Sequence, residues 1–244
     1  MKEEILREYN GQSCSIDDIV KFVERINGDT PRNTIIWNVN DLVRQGKAVR
    51  LGRGIYGFMP KAQFQPIISE SAERACCLLQ AKFKYLVLTV TDSSVLGQFM
   101  NLQPFSTIVV IETKKSATGA VLSALRKEGV DAYAKKDFPA FERYISSSQT
   151  FVVRPELTVN PALTQNNNVR AANLEKILVD LVCDEDVYGQ YQGKELQNIY
   201  KNVSDIYAIN YSQMLKYATA RKKKAPVLEM LQDTDMYSKI RDLL

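Results

Sequence analysis

The sequence predicts a multi-domain α+β protein. Three observations lead to this prediction. A helical pattern followed by a glycine-containing hairpin occupies residues 30–58, short apolar runs alternate with helical segments over 69–153, and helical patterns continue beyond them. We therefore expect an N-terminal winged helix-turn-helix over 1–60, an α/β domain with a small, mainly parallel sheet over 61–158, and a helical C-terminal region over 159–244 packed on the α/β domain.

The helix predicted after residue 30 has clear start and stop signals. Thr30 is suited to cap the helix, and Pro31 falls in the first turn, where a proline is tolerated because its missing N–H would be unpaired there. Apolar residues then recur at helical spacing until Gly46, which suits the left-handed conformation at a helix end.

A predicted hairpin follows this helix directly. Lys47–Leu51 and Ile55–Phe58 alternate as short strands around Gly52-Arg53-Gly54, whose glycines permit the positive φ of a tight turn. A helix that runs into such a hairpin is typical of the second half of a winged helix-turn-helix, a module that commonly reads DNA.

The first half of such a module precedes it. Lys2–Tyr9 has the pattern of a short leading helix. Ser15 can cap a second helix, in which Asp18 lies near the positive end of the helix dipole. Apolar residues form an inward stripe along that helix, and Asn27-Gly28-Asp29 makes the turn into the next one.

One face of the later helix suits the major groove. If its apolar residues point inward, the opposite face carries Asn33, Trp37, Asn40 and Arg44. Arginine pairs with guanine and asparagine with adenine in that groove. With the basic residues nearby, the predicted DNA-binding set is Arg32, Asn33, Trp37, Asn40, Arg44, Lys47, Arg50 and Arg53. A lone tryptophan more often packs in a core than contacts bases, so packing is the favoured role for Trp37, although it is included in this set.

The charge distribution favours nucleic acid as a partner. Between Thr30 and Lys61, six basic residues stand against one acid, a net charge of +5, whereas the whole chain carries only +4. Clustered cations of this kind bind the phosphate backbone. The predicted partner is duplex DNA, and a protein-interaction domain with a solvated basic surface is the alternative.

Composition excludes several kinds of chemistry. The 244-residue chain contains no histidine, which removes Ser-His-Asp and Cys-His catalysis and histidine-bound zinc. Cys14, Cys76, Cys77 and Cys183 lack metal-ligand spacing and favour reduced, mostly buried thiols. We find no glycine-rich nucleotide loop, membrane-spanning run or signal-peptide segment. We therefore expect a cytoplasmic protein with no membrane contact, metal or cofactor.

After a linker at Met59–Ile68 the pattern changes to alternating strands and helices. The predicted strands are apolar, as expected where a sheet is covered on both faces, and lie at Tyr85–Val90, Thr107–Ile111, Val130–Ala134 and Thr150–Val153. Helices are predicted from Ser69 to about Ala81, over Ser116–Glu128 and around Pro139–Ile145. This alternation favours parallel strands with right-handed crossovers.

Polar residues at two predicted strand ends raise a catalytic alternative. Asp92 ends the first strand, and Glu112-Thr113-Lys114 ends the second. An Asp followed by Glu-x-Lys is the metal-binding pattern of restriction-type nucleases, in which carboxylates hold Mg²⁺ and the lysine positions water. Parallel neighbouring strands would bring Asp92, Glu112 and Lys114 together. Because a helix is expected between the strands, where that nuclease core has a hairpin, we favour charges that merely end buried strands.

The remainder of the chain is predicted to be helical after a polar loop at Asn160–Asn168. The predicted helices are Ala171–Cys183, Lys194–Val203, Asp205–Arg221, Pro226–Leu231 and Asp235–Leu244. The third helix runs into Arg221-Lys222-Lys223-Lys224, a cluster that suits a solvated helix terminus slightly better than a phosphate contact.

Two motifs in the chain resemble those of a known family. The hairpin sequence Leu51-Gly52-Arg53-Gly54-Ile55-Tyr56 has the pattern L-x-R-G-x-Y, and Asn173–Asp180 contains E-[RK]-x-[LIV]-x-D. Both resemble signatures of AbiEi-type antitoxins from bacterial abortive-infection toxin–antitoxin systems. Gly193–Leu196 and Met214–Ala218 are similar to the downstream helices of that family.

This resemblance implies a winged helix-turn-helix that binds operator DNA, with inverted repeats, and represses its own operon. It also implies a nucleotidyltransferase-like toxin as functional partner, with the antitoxin activity in the C-terminal part and no requirement for direct contact. Arg53 and Tyr56 match the wing, and Glu175 and Asp180 match the helix. The last two suit ionic hydrogen bonds between helices and are assigned no catalytic role.

The expected function is therefore that of a DNA-binding, antitoxin-like transcriptional autoregulator without intrinsic catalysis. Two alternatives remain at this point. One is a metal-dependent, restriction-type nuclease, or its inactive descendant, guided by the winged domain. The other is a protein-interaction adaptor.

Overall fold

Two β-sheets with surrounding helices make up the described part of the chain. The computed structural model describes residues 1–59, 61–141, 147–157, 159–164, 169–232 and 234. A three-stranded sheet lies in the N-terminal part and a six-stranded sheet in the rest. The predicted α+β class is confirmed. In these residues, no helix combines the length and the apolar character that crossing a membrane requires.

The N-terminal part contains three helices and three short strands. In chain order they are α1 (Lys2–Glu8), β1 (Ser13–Ser15), α2 (Ile16–Asn27), α3 (Arg32–Arg44), β2 (Val49–Gly52) and β3 (Ile55–Gly57). The sheet order is β1-β3-β2, and both pairings are antiparallel. Strand β1 was not predicted, because three residues are too few to show an alternating pattern.

Local signals set the ends of α2 and α3. Ser15 caps α2 as predicted: its Oγ accepts a hydrogen bond from Asp18 N at 3.2 Å, and Asp18 Oδ2 accepts one from Ser15 N at 3.1 Å. The predicted cap at Thr30 is wrong, since Pro31 precedes α3 with a φ of −54° and without a side-chain cap. Gly46 follows α3 at a φ of 69°, the predicted left-handed conformation.

The N-terminal sheet is covered on both faces. Tyr56 and Phe58 pack in one hydrophobic core with α1, α2 and α3. Val49, Leu51 and Ile55 belong to a second core, which they share with helices of the C-terminal region. Because successive strand residues face opposite sides of a sheet, β3 contributes to both cores. The N-terminal part is therefore joined to the rest of the chain by shared packing as well as by a linker.

The larger sheet mixes parallel and antiparallel pairs. Its strands are β4 (Leu88–Asp92), β5 (Thr107–Thr113), β6 (Ala132–Ala134), β7 (Gln149–Pro155), β8 (Ala162–Thr164) and β9 (Val169–Ala172), in the order β6-β7-β5-β4-β9-β8. The pairs β5–β7, β6–β7 and β4–β9 are parallel, and β4–β5 and β8–β9 are antiparallel. Helices α4 (Glu70–Lys82) and α5 (Thr118–Lys127) cover one face.

The expectation that β4 and β5 are parallel is wrong. They are neighbours, but Asp92 pairs with Val109 and Thr89 with Glu112 in antiparallel register. The connection contains only a 3₁₀ helix, Ser93–Phe99, which turns the chain at one end of the sheet. A parallel pair needs a crossover that returns along a face of the sheet, usually as a full helix.

The predicted polar loop at Asn160–Asn168 is also wrong where the structure describes it. Strand β8 begins at Ala162, and β9 then takes residues Ala171 and Ala172, which were predicted to open a helix. Both strands are short and rich in alanine, so their composition gives no strand signal. The part of the predicted loop at 165–168 lies outside the described residues.

Four helices of the C-terminal region cover the other face of the large sheet. They are α7 (Leu174–Cys183), α8 (Lys194–Ile206), α9 (Tyr211–Ala220) and α10 (Lys224–Gln232), and the short α6 (Phe138–Phe141) precedes them in the chain. The predicted helix Asp205–Arg221 is divided in the structure, because α8 extends to Ile206 and Asn210 caps the start of α9. Asp235–Leu244, and residues 142–145 of the predicted helix around Pro139–Ile145, lie outside the described residues.

Candidate nucleic-acid interface

Helix α3 presents a polar face to solvent. Ile35, Val39 and Leu42 are buried on its inner side, in one core with α2 and the N-terminal sheet. The predicted outer-face residues Asn33, Trp37, Asn40 and Arg44 are all exposed. The helix is therefore anchored by its apolar stripe, and it carries two amides, an indole and a guanidinium on its free face.

Trp37 lies on the surface and not in a core, because 58 % of it is exposed. Its ring is approached by two cations: Lys2 Nζ lies 5.1 Å and the Arg44 guanidinium 5.9 Å from the ring centroid. The packing role that the sequence favours for Trp37 is therefore wrong. An exposed indole between two cations can stack on a base or a sugar while the cations contact phosphates.

Ion pairs with nearby acids hold two of the arginines. Arg32 donates to Asp17 at 2.6 Å, and Arg44 donates to Asp41 at 3.0 Å. The hydrogen bond from Lys2, together with the charge of Arg44, lowers the pKa of Asp41. Pairs of this kind at a protein surface stabilise the fold only weakly, so phosphates can replace the carboxylates at little cost.

The hairpin residues of the predicted set do not all lie together. Lys47 and Arg53 are exposed, and Gly54, next to Arg53, has the positive φ that the tight turn requires. Arg50 is exposed as well, but it lines a cavity of about 220 Å³ with Glu175 and other residues of the C-terminal helices. The structure therefore separates Arg50 from the outer face of α3.

The structure does not bring the alternative catalytic residues together. Asp92 and Glu112 lie three register positions apart on antiparallel strands, which is about 10 Å along the sheet. Asp92 accepts hydrogen bonds from Ser69 N at 2.8 Å and Ser94 N at 2.9 Å. Lys114 is exposed. Asp92 therefore has a structural use, as the cap of the 3₁₀ helix.

Glu112 belongs to a cluster of charges that the sheet and the C-terminal helices enclose. We call it the buried ionic cluster, and its members are Glu112, Arg154, Lys176, Asp180, Asp184 and Arg221. Arg154 Nε donates to Glu112 at 2.7 Å, and Lys176 Nζ donates to Glu112 at 2.9 Å. The cluster links β5, β7 and α7 to the end of α9.

Opposite charges keep Asp180 and Asp184 ionised. Burial alone would raise the pKa of Asp180, but Lys176, Arg154 and Arg221 outweigh it and lower that pKa. For Asp184, burial is likewise outweighed, by Arg154 and Arg221, so its pKa is also lowered. Buried charges are tolerated only when they are paired in this way.

Arg221 is not part of a solvated terminus. Its side chain is 12 % exposed and pairs with Asp180 and Asp184. The neighbouring Lys222 is exposed and adopts a left-handed φ of 56° just after α9. The first residue of the four-residue basic cluster therefore points inward. The slightly favoured prediction of a solvated helix terminus is wrong for Arg221.

Glu175 and Asp180 match the helix motif that resembles AbiEi-type antitoxins. Both accept hydrogen bonds that connect α7 to α9. Asp180 accepts a hydrogen bond from the Tyr217 hydroxyl at 2.7 Å. Glu175 accepts one from Asn210 N at 2.7 Å, at the start of α9. Burial raises the pKa of Glu175, and the hydrogen bond from Asn210 opposes that shift.

Arg154 and Lys176 are not among the residues that the sequence predicts to form a site. One signal was present in α7, where the only basic residue, Lys176, stands four positions before Asp180 in a mostly apolar segment. That spacing places both side chains on one face of a helix. The contact from Arg154 to Glu112 spans 42 positions, and no local pattern indicates it.

Comparison with known families gives a match over most of the chain. A family model described as a family of unknown function (DUF6577) matches residues 34–236, which extend from within α3 through β2, β3 and the six-stranded sheet to beyond α10. No curated protein matches the chain significantly. Since the family model covers well over half of the sequence, the chain belongs to the DUF6577 family.

Proposed function

We propose that residues 1–59 form a winged helix-turn-helix that binds duplex DNA. The order of elements supports this proposal: α1, β1, α2 and α3 are followed by the β2–β3 hairpin, and β1 completes the antiparallel sheet. In this assignment α3 is the recognition helix that enters the major groove, and the hairpin is the wing that contacts the backbone.

The exposure of the predicted DNA-binding set is the observation that carries the proposal. Every one of its eight side chains is exposed, although α3 and the hairpin also supply buried residues to two cores. The C-terminal helices pack on the sheet face that points away from α2 and α3. This packing leaves the outer face of α3 and the turn at Arg53 accessible to a duplex.

We further propose that the protein represses its own operon and acts as an antitoxin for a nucleotidyltransferase-like toxin. The support is the resemblance of Leu51–Tyr56 and Asn173–Asp180 to AbiEi-type antitoxins. In this proposal the chain has no catalytic step, and Asp92, Glu112 and Lys114 have structural or surface roles. In this proposal the protein is located in the cytoplasm, where its operator DNA lies.

DNA binding is tested by fluorescence anisotropy with the full chain and the region upstream of its own gene. We expect binding that weakens steeply with salt, because counterions are released from the phosphates that the protein neutralises. Arg53→Ala should weaken binding on every sequence. The matched control is Arg74→Ala, which removes an exposed arginine from α4. Absence of binding at low salt by the folded chain would refute the proposal.

The antitoxin role is tested separately with point variants of the full chain. Truncation is unsuitable, because cutting near residue 60 would expose Val49, Leu51 and Ile55. We expect wild-type protein to rescue cells from the product of an adjacent nucleotidyltransferase-like gene. Arg53→Ala should lose repression of a promoter reporter and keep the rescue. Failure of the wild-type chain to rescue excludes the antitoxin role, and joint loss of both activities excludes the division of roles.

A further inference from the structure

A cleft lies at one edge of the six-stranded sheet. It has a volume of about 920 Å³ and is lined without any residue from 1–59. Strands β5, β6 and β7 are parallel and end there, with Thr113 paired to Pro155 and Ala134 paired to Val153. Ligands of such sheets bind in the crevice outside the carboxyl ends of the strands, and sites for small molecules have volumes of about 300–1,000 Å³.

Cationic groups dominate the polar lining of this cleft. The basic lining residues are Lys115, Lys135, Lys136, Arg154 and Arg221, and the acidic ones are Asp137 and Asp186. The three acids of the buried ionic cluster are fully buried and do not line the cleft. Arg154 and Arg221 therefore line the cleft while they donate to carboxylates that lie behind it.

The two arginines are fixed in place before any ligand arrives. Arg154 donates to Glu112, Asp180 and Asp184, and Arg221 donates to Asp184 Oδ1 at 2.8 Å. Attraction to Asp180 and Asp184 outweighs burial and raises the pKa of Arg221. Because these guanidinium groups are already paired with carboxylates, the cations available to an anion in the cleft are the lysines at its rim.

The lysines at the rim differ from the arginines. Lys115 and Lys136 are exposed, and in the part of the chain that the structure describes neither ammonium group lies within ion-pair distance of a carboxylate. They are available to an incoming anion. Thr118 and Gly119 also line the cleft, at the start of α5, where no side chain caps the helix.

The rest of the lining is apolar. Leu122, Val153, Pro155 and Leu157 form this part of the wall. A simple anion such as phosphate would leave that surface in contact with water, whereas a ligand with a flat, weakly polar ring would cover it. The required ligand therefore combines a ring with one or more phosphates.

We propose that this cleft binds a free nucleotide. Its phosphates lie between Lys115, Lys136 and the start of α5, and its base packs against the wall formed by Leu122 and Leu157. The assignment is independent of DNA binding, since the cleft uses none of the residues in the proposed recognition helix or wing.

The test is isothermal titration calorimetry on the full chain with ATP, GTP, CTP and UTP, each titrated alone. Adenosine and inorganic tripolyphosphate serve as probes for the ring and the phosphates by themselves. We expect at least one nucleotide to bind more tightly than either probe. The double variant Lys115→Ala/Lys136→Ala should weaken that binding at least about tenfold, because it removes two charge-assisted contacts.

Two further variants make the test specific. Lys82→Ala/Lys127→Ala removes the same charge from exposed positions outside the cleft and should leave the affinity unchanged. Gly119→Leu changes no charge, and a Cβ at Gly119 meets no heavy atom within 4 Å, so the added side chain has room on the cleft wall. It should abolish nucleotide binding in a folded protein.

Several results would overturn the proposal. The first is absence of binding by all four nucleotides at millimolar concentration. The second is wild-type affinity in both Lys115→Ala/Lys136→Ala and Gly119→Leu. The third is binding of tripolyphosphate or adenosine as tightly as the best nucleotide, because the cleft would then not recognise both the base and the phosphates.

Discussion

Lys176 and Asp180 lie one turn apart on α7 and form an ion pair that is wholly removed from solvent, with Nζ 2.8 Å from Oδ2. The same ammonium group donates to Glu112 on β5 at 2.9 Å and to the Tyr217 hydroxyl on α9 at 3.0 Å. One side chain thus connects the large sheet to two helices. The position of the C-terminal region therefore depends on buried charges that are neutralised by opposite charges.

Lys176→Met should strongly destabilise the protein. Methionine approximates the shape of the lysine stem, but it leaves Asp180 and Glu112 with one cation fewer in a buried site. Breaking a buried pair from one side costs about 3–5 kcal/mol. Urea denaturation followed by circular dichroism measures the change. Lys201→Met, at an exposed position of α8, is the control and should stay within about 0.5 kcal/mol of wild type. Equal midpoints for the two variants would show that the cluster contributes little.

Stability should fall on acidification, because the pKa values of Asp180 and Asp184 are lowered in the folded state. For a carboxyl group whose folded pKa is depressed, the stabilisation is present above the unfolded value of about 3.9 and is lost as the pH falls below it. Free energies of unfolding measured from pH 5 to pH 2 should show this decline, because the loss begins only near the unfolded pKa. Asp184→Asn should be less stable at pH 7 and less sensitive to pH. If the free energy of unfolding of Asp184→Asn depends on pH as steeply as that of wild type, Asp184 does not contribute to the pH dependence.

Glu175→Gln should be neutral or stabilising at pH 7. Burial raises the pKa of Glu175, so its charge opposes folding at any pH above the folded pKa. Glutamine keeps an oxygen that can accept the hydrogen bond from Asn210 N, and it carries no charge. Glu175→Ala is the contrasting variant, since it leaves that N–H without its acceptor and should cost about 1–3 kcal/mol. Thermal unfolding at pH 7 ranks wild type and the two variants by stability. A loss of stability in Glu175→Gln as large as that in Glu175→Ala would contradict the role of Glu175 as a hydrogen-bond acceptor.

Helix positions were predictable where short-range chemistry decides them. The reciprocal bonds of Ser15 and Asp18 fix the start of α2, and Ser69 accepts a hydrogen bond from Ala72 N at the start of α4. The apolar runs of β5 and β7 are strands because both of their faces are covered. Each of these elements depends on residues a few positions apart, which a sequence pattern records.

Such sequence patterns predict neither the direction of β4 nor the buried ionic cluster. Pairing of Thr89 with Glu112 depends on how the connecting segment turns, and the contact from Lys176 to Glu112 joins residues 64 positions apart. In the sequence, Glu112 stands out only as part of a nuclease-like motif. Its actual partners on β7 and α7 become neighbours only after the sheet and helices pack.

One cysteine should react much faster than the other three. Cys77 is exposed. Burial raises the pKa of Cys14 and of Cys76 to about 12, and burial raises that of Cys183 to about 11. Since the thiolate is the reactive species, these three groups are protected near neutral pH. Ellman's reagent should show one fast thiol in the native protein, which Cys77→Ser removes. A second thiol reacting at the same rate would contradict this assignment.

The residues of α3 and the wing should affect DNA binding in different ways. Asn33→Ala and Asn40→Ala should each cost about 1–3 kcal/mol on the preferred site and relax its sequence specificity, because asparagine amides read base edges. Arg53→Ala should weaken all duplexes similarly and reduce the slope of log affinity against log salt by about one, as expected for a phosphate contact. Anisotropy titrations on the preferred and a scrambled duplex, at several salt concentrations, separate the two effects. Loss of specificity in Arg53→Ala, with none in either asparagine variant, would mean that the hairpin and not α3 reads the sequence.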